Sequence, residues 1–286
     1  MVPVKVEILE KETVKIYRMA TLDPQGKPFM WVSAFLIDGL LIDFGHPHAK
    51  DEFLRVLDFD EIEMCVLTHQ HEDHWGACYD IINKYKIPIY ANKATAFLVR
   101  FNLRLPRERI MVWGFPKPCV LQVLPNIEEI KTSQAKFKII PTPGHCKTLI
   151  SFYHERKRLL FSTDAFIDPK QTVIFNWENA NIMLETLEKL NSFNPKYYFQ
   201  EDGSLTTPKD ITDLIQFWNE IKIKSWSLYN QGVKLREIVK RIFGGESYLN
   251  KLTRGAMSRE NLIRSLLDLP PITDEKLKTK SIKEFY

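Results

Sequence analysis

Three imidazoles and a carboxylate, from His69, His71, Asp73 and His74, fall within six consecutive positions of the stretch from Thr68 to Gly76. Imidazole nitrogen and carboxylate oxygen are the donors a borderline-soft divalent ion such as zinc prefers. Core histidines do not cluster this way, because each buried ring nitrogen would need its own partner. The alternative is a solvated polar loop, and the density of ligand-type residues argues against it. The expectation is a metal site.

The elements around the motif fit that reading. Residues 63–67 are short and apolar, as a buried strand would be, and residues 77–85 suit a helix. The donors would then sit on a strand-to-helix loop, where α/β proteins commonly build sites. Upstream, residues 4–9, 14–20 and 29–37 read as strands. Asp38-Gly39 between two apolar runs signals a hairpin that returns through Leu40-Leu41-Ile42-Asp43. A short helix is expected at 49–57, a strand at 88–91 and a helix at 92–101. Residues 102–120 mix Arg104, Arg107 and Arg109 with Trp113, Phe115 and prolines, and read as an irregular loop. Strands are expected again at 121–124, 136–141, 149–154, 159–163 and 197–199, with a helix at 178–190. From Pro208 onward the spacing is helical, and Ser258 is placed to cap the last helix.

A metal held only by residues 69–74 would be strained, so other segments should contribute. His145 follows a predicted strand in Pro141-Thr142-Pro143-Gly144-His145, where Gly144 would let the backbone turn. Asp164 ends another strand in Leu160-Phe161-Ser162-Thr163-Asp164.

Taken together, T-H-x-H-x-D-H, then T-P-G-H, then a strand ending in Asp resembles the metallo-β-lactamase-fold superfamily. The resemblance covers about residues 30–205. It implies an α/β (α+β) fold, a four-layer αββα sandwich of two mixed β-sheets flanked by helices. A C-terminal helical extension would follow, giving domains 1–205 and 206–286. It also implies that His69, His71 and His145 bind one ion, that Asp73 and His74 bind a second, and that Asp164 bridges them. Asp43, in Leu41-Ile42-Asp43, matches the family's early structural aspartate and is expected to orient a ligand imidazole. The family's last ligand is a histidine after the final strand, but no histidine follows His154 here. Gly203 suggests a register in which Asp202 takes that place, with Glu201 or an empty position as alternatives.

The implied activity is hydrolysis of an ester, thioester, lactone or phosphoester of a small molecule by a metal-bound hydroxide. Asp73 and Asp164 would be the catalytic carboxylates, and zinc, as two ions, the cofactor. Iron or manganese is compatible with the same donors. The chain lacks the glycine- and arginine-rich stretch that glutathione-thioester hydrolases of the family carry after the bridging Asp. A mononuclear iron oxidoreductase similar to persulfide dioxygenases is the competing enzyme class.

Bulk properties narrow the partners. A 44% hydrophobic and 27% charged chain is that of an ordinary soluble globular protein. No apolar run approaches the ~20 residues of a membrane span, and the N-terminus lacks a secretory pattern, so a cytoplasmic protein with no membrane partner is expected. From Pro208 onward there are 15 Lys/Arg against 10 Asp/Glu. That excess keeps nucleic acid, and a nucleic-acid-processing role, open. The interspersed signs favour a solvated helical surface instead. The four cysteines are scattered, and Cys65 and Cys78 read as small core residues. Cys146 reads as a neighbour of His145 turned to the opposite side. His46 and His48 read as surface histidines. Oligomeric state is not legible.

Overall fold

The computed structural model describes residues 2–102 and 104–272. The predicted C-terminal region therefore extends, at residues 273–286, outside the described residues. In chain order the strands are β1 (Val4–Lys11), β2 (Val14–Leu22), β3 (Pro28–Ile37), β4 (Leu40–Ile42), β5 (Met64–Val66), β6 (Ile89–Ala91), β7 (Gln122–Val123) and β8 (Glu129–Lys131). They continue as β9 (Lys136–Pro141), β10 (Ile150–His154), β11 (Leu159–Thr163), β12 (Ile174–Phe175), β13 (Tyr197–Gln200), β14 (Leu205–Thr206) and β15 (Met257–Ser258). The helices are α1 (Lys50–Val56), α2 (Cys78–Asp80), α3 (Lys93–Leu98), α4 (Arg107–Trp113), α5 (Ala180–Ser192), α6 (Pro208–Asn230), α7 (Leu235–Phe243), α8 (Tyr248–Leu252) and α9 (Arg259–Leu266).

The chain packs as two compact units. The first comprises Met1–Pro141, Ile150–Thr163 and Phe199–Leu205. Its larger sheet has the order β1-β2-β3-β4-β5-β6-β7, antiparallel through β4 and parallel from β4 to β7. The smaller sheet runs β14-β13-β11-β10-β9-β8. The fold is the α/β sandwich of two mixed sheets flanked by helices expected from the sequence.

Local chemistry explains how the larger sheet turns toward the motif. Asp38 and Gly39 both have positive φ (44° and 81°), the pairing a tight β3–β4 hairpin requires. Ile37 then faces Leu40 across the hairpin. The parallel register sets Ile42 beside Val66, so β4 and β5 end together and release Asp43 and the histidine loop at the same sheet edge. Beneath them lies a core that includes Tyr17, Phe44, Phe53, Leu67, Trp75 and Ile81.

Where the sequence reading expected an irregular loop, residues 107–113 form a helix. Pro106 starts α4 and Gly114, at φ 91°, ends it. The flanking prolines and aromatics masked the helix-forming stretch Arg107-Glu108-Arg109-Ile110-Met111.

The second unit comprises Thr142–Leu149, Asp164–Tyr198 and Thr206–Tyr286. Its helices bury the apolar faces expected of them, among them Ile211, Leu214 and Trp218 on α6 and Leu262, Ile263 and Leu266 on α9. Thr207 and Asp210 form a reciprocal cap at the start of α6. Ser258 caps α9 by accepting the Asn261 N–H at 3.0 Å. No described helix is long and apolar enough to cross a membrane.

Candidate metal centre

In the first unit, the loop after β5 is fixed at both ends. Asp43 N donates to Val66 O, Phe44 N to His74 O and Gly76 N to Gly45 O. A Cβ on Gly76 would lie 2.3 Å from the His46 carbonyl carbon, so only glycine lets these two segments meet. Trp75 is buried, and its indole N–H donates to Gln70 O across the loop at 2.9 Å. Its role is to pack beneath the motif.

His69, His71 and His74 are all buried, with ring centroids 4.6 Å apart for His69–His71 and 4.4 Å for His69–His74. Asp43 holds one of them, His74. Its carboxylate is fully buried, receives the Thr68 N–H (2.8 Å) and hydroxyl (2.8 Å), and lies 2.8 Å from His74 Nδ1. Burial pushes the Asp43 carboxyl above its usual range, opposed by His74 and the Thr68 donors. A carboxylate can only accept, so the proton sits on His74 Nδ1 and Nε2 becomes the donor atom for a metal. His69 Nδ1 lies 3.0 Å from the Thr68 hydroxyl.

Donor atoms of Asp73, His74 and Glu201 all lie within 4.8 Å of one another. The structure brings Glu201 to this group and not Asp202, which corrects the register chosen from the sequence. Gly203, at φ 78°, donates to Gln200 O and closes a tight turn. That turn gives Asp202 a different task. Its carboxylate accepts the Ser204 N–H at 2.8 Å, and its carbonyl accepts Arg18 Nε at 2.7 Å. An imidazole with two carboxylates is a donor set that fits a divalent ion.

Beside this group, Arg109 on α4 donates to the Glu72 carboxylate at 2.5 Å and reaches Asp73 Oδ1 at 3.4 Å. Glu72 is completely buried. Burial raises its pKa, Arg109 lowers it and neighbouring Asp73 raises it again, with a net upward shift. The Arg-rich segment thus supplies a half-buried counter-charge to a buried carboxylate, which the sequence did not reveal.

His46 is a further correction. It is fully buried, its ring packs 5.2 Å from Trp113, and burial, with the nearby His48, lowers its pKa to about 3. His48 is half-buried against α4, its Nε2 3.2 Å from Ile110 O.

In the second unit, His145 lies on a loop docked against the start of α5. Gly144 adopts φ 130°, Asn179 N donates to Gly144 O, and the Thr186 hydroxyl donates to Pro143 O. His145 Nδ1 lies 2.5 Å from Glu178 Oε1. Sequence reasoning missed Glu178, because nothing at its position marks it as a partner for a residue 33 places earlier. Asp164 is buried directly after β11, behind Thr163, whose positive φ (43°) is strained for a β-branched residue. Cys146 is buried beside the Thr148 hydroxyl, and burial pushes its thiol pKa up to about 11. None of the four cysteines, all among the described residues, forms a disulfide. The candidate ligands are thus His69, His71, Asp73, His74 and Glu201 in the first unit, and His145, Cys146 and Asp164 in the second.

The family model of the metallo-beta-lactamase superfamily matches residues 32–199, more than half of the chain. The chain belongs to the metallo-beta-lactamase superfamily. Among curated relatives, it is 26% identical over 212 residues to a beta-lactamase-like protein 2 homolog of Caenorhabditis elegans, covering 69% of this chain and 64% of that one. It is 25% identical over 141 residues to the probable metallo-hydrolase YybB of Bacillus subtilis, covering 48% and 62%. The chain therefore spans a little under two thirds of the length of these relatives. Among solved structures, a beta-lactamase domain protein from Burkholderia ambifaria superposes with a TM-score of 0.66 at 16% identity, covering 91% of this chain and 87% of that one. The metallo-beta-lactamase family protein TTHA1429 from Thermus thermophilus superposes at 0.59 and 15%, covering 92% and 90%. At such identities these superfamily structures support the fold alone.

Proposed function

We propose that this protein is a metal-dependent hydrolase that cleaves an ester, thioester, lactone or phosphoester of a small molecule, with zinc at a two-ion centre. In this reading His69, His71 and His145 would hold one ion and Asp73, His74 and Glu201 the other, with Asp164 as a further carboxylate ligand. The observation that carries it is the grouping of Asp73, His74 and Glu201, with His74 held by Asp43 at 2.8 Å. Membership of the superfamily and the hydrolase name of one relative support the same reading.

A divalent ion held by these donors lowers the pKa of a coordinated water toward neutrality and polarises the bond under attack. The chain's own residues prepare the site for that chemistry. Asp43 fixes the tautomer of His74, and Thr68 restrains both Asp43 and His69. Burial of the three histidines keeps bulk water from competing for their nitrogens. Asp73 and Asp164 are the carboxylates suited to take up the proton released as water attacks. Arg109 lies 3.4 Å from one Asp73 oxygen and steadies that carboxylate.

The test is a panel of chromogenic esters, thioesters, lactones and phosphodiesters, run on the protein as purified, after chelation and after zinc is restored. Hydrolysis of one class that vanishes with chelator and returns with zinc is expected. A single bound iron with oxygen consumption and no hydrolysis would replace this reading by an oxidoreductase.

A further inference from the structure

We propose that Glu178 is a positioning residue for His145, and that the C-terminal helical region acts on the site by holding Glu178 in place. This rests on the reading of His145 as a metal ligand. The buried Glu178 carboxylate is fixed through both oxygens. Oε1 lies 2.5 Å from His145 Nδ1, and Oε2 accepts the Phe175 N–H at 2.6 Å. The reciprocal bond from Glu178 N to Phe175 O, at 3.1 Å, closes the turn. Phe175 and Trp177 stack with centroids 4.3 Å apart, which stiffens the segment that carries the carboxylate.

The partner is held equally well. A Cβ on Gly144 would lie 2.9 Å from Met183 N, so the His145 loop sits directly on the backbone of α5. The bonds from Asn179 and Thr186 to the carbonyls of Gly144 and Pro143 lock that approach. Since a carboxylate only accepts, Glu178 places the proton on Nδ1 and leaves Nε2 as the donor. It also raises the basicity of that nitrogen.

The C-terminal region supplies the outer support. β12, which ends at Phe175, pairs with β15, and Asn176 N donates to Ala256 O. Asn261 Nδ2 on α9 donates to Ile174 O, and Ala180 N donates to the Ser265 hydroxyl at 2.7 Å. Asn181 adds bonds to Ser265 O and Asp268. Residues 174–181 are thus bracketed by α9 on both sides of Glu178. This gives the helical extension a task in the chemistry that needs no ligand of its own.

Two variants test the inference. Glu178→Ala removes the acceptor, and Glu178→Gln keeps its shape and one acceptor oxygen without the charge. Zinc affinity of the full chain is measured by competition with a chromophoric chelator, and the His145 tautomer by ¹⁵N NMR of metal-free protein. Zinc affinity should fall about 10–100-fold in Glu178→Ala and less in Glu178→Gln. His145 should hold its proton on Nδ1 in the wild type and lose that preference in Glu178→Ala. If Glu178→Ala does not fold, the glutamine variant decides through metal binding, and wild-type zinc affinity in it would overturn the inference. Asn261→Ala should weaken zinc binding in the same direction, by less. A wild-type protein that binds no zinc would sink the hydrolase reading, while the tautomer measurement would still decide whether Glu178 governs His145.

Discussion

Asp43 Oδ2 lies 2.8 Å from His74 Nδ1, with both side chains buried and Thr68 donating twice more to the same carboxylate. One residue at the end of β4 thereby aims an imidazole that follows β5, and the parallel pairing of Ile42 with Val66 makes the meeting unavoidable. Asp43→Ala should cost about 10–100-fold in metal affinity, the usual effect of losing such a partner. Isothermal titration with zinc checks this, and an unchanged affinity would show that His74 needs no help.

Arg109→Ala should destabilise the fold by about 3–5 kcal/mol, because it leaves the buried Glu72 carboxylate without its guanidinium. Pairing it with Glu72→Gln should recover much of the loss. Urea unfolding of the two single variants and the double variant gives the coupling between them. Additive losses would argue against the pair.

His46 predicts a pH effect on stability. Its pKa is lowered to about 3 in the fold against 6.5 when unperturbed. The unfolded chain therefore binds the extra proton first. The stability that neutral His46 contributes is complete above pH 6.5 and is lost as pH falls from there toward 3. The slope is at most ~1.4 kcal/mol per pH unit. Replacing His46 by Leu, which can still pack on Trp113, should flatten the unfolding free energy between pH 6 and 4. An identical slope in the variant would contradict the assignment.

What the sequence disclosed divides by distance along the chain. The histidine motif and the Asp38-Gly39 hairpin were readable because their residues act within a few positions of each other. Asp43 was named only through the family resemblance, because its partner His74 lies 31 positions further on. Glu178 was not, since its link to His145 exists only once α5 has packed on the Gly144 loop. The choice between Glu201 and Asp202 turned on one residue of register. The turn closed at Gly203 sets that register, and no composition pattern reports it. His46 looked like a surface residue because Trp113, which covers it, comes from a helix hidden among prolines.

The central claim is a two-ion centre completed by Glu201, and metal stoichiometry tests it most directly. Elemental analysis of the wild-type protein, Glu201→Gln and Asp202→Asn, each equilibrated with zinc and desalted, should give two ions, one ion and two ions per chain. Loss of an ion in Asp202→Asn but not in Glu201→Gln, or no bound ion in the wild type, would contradict it.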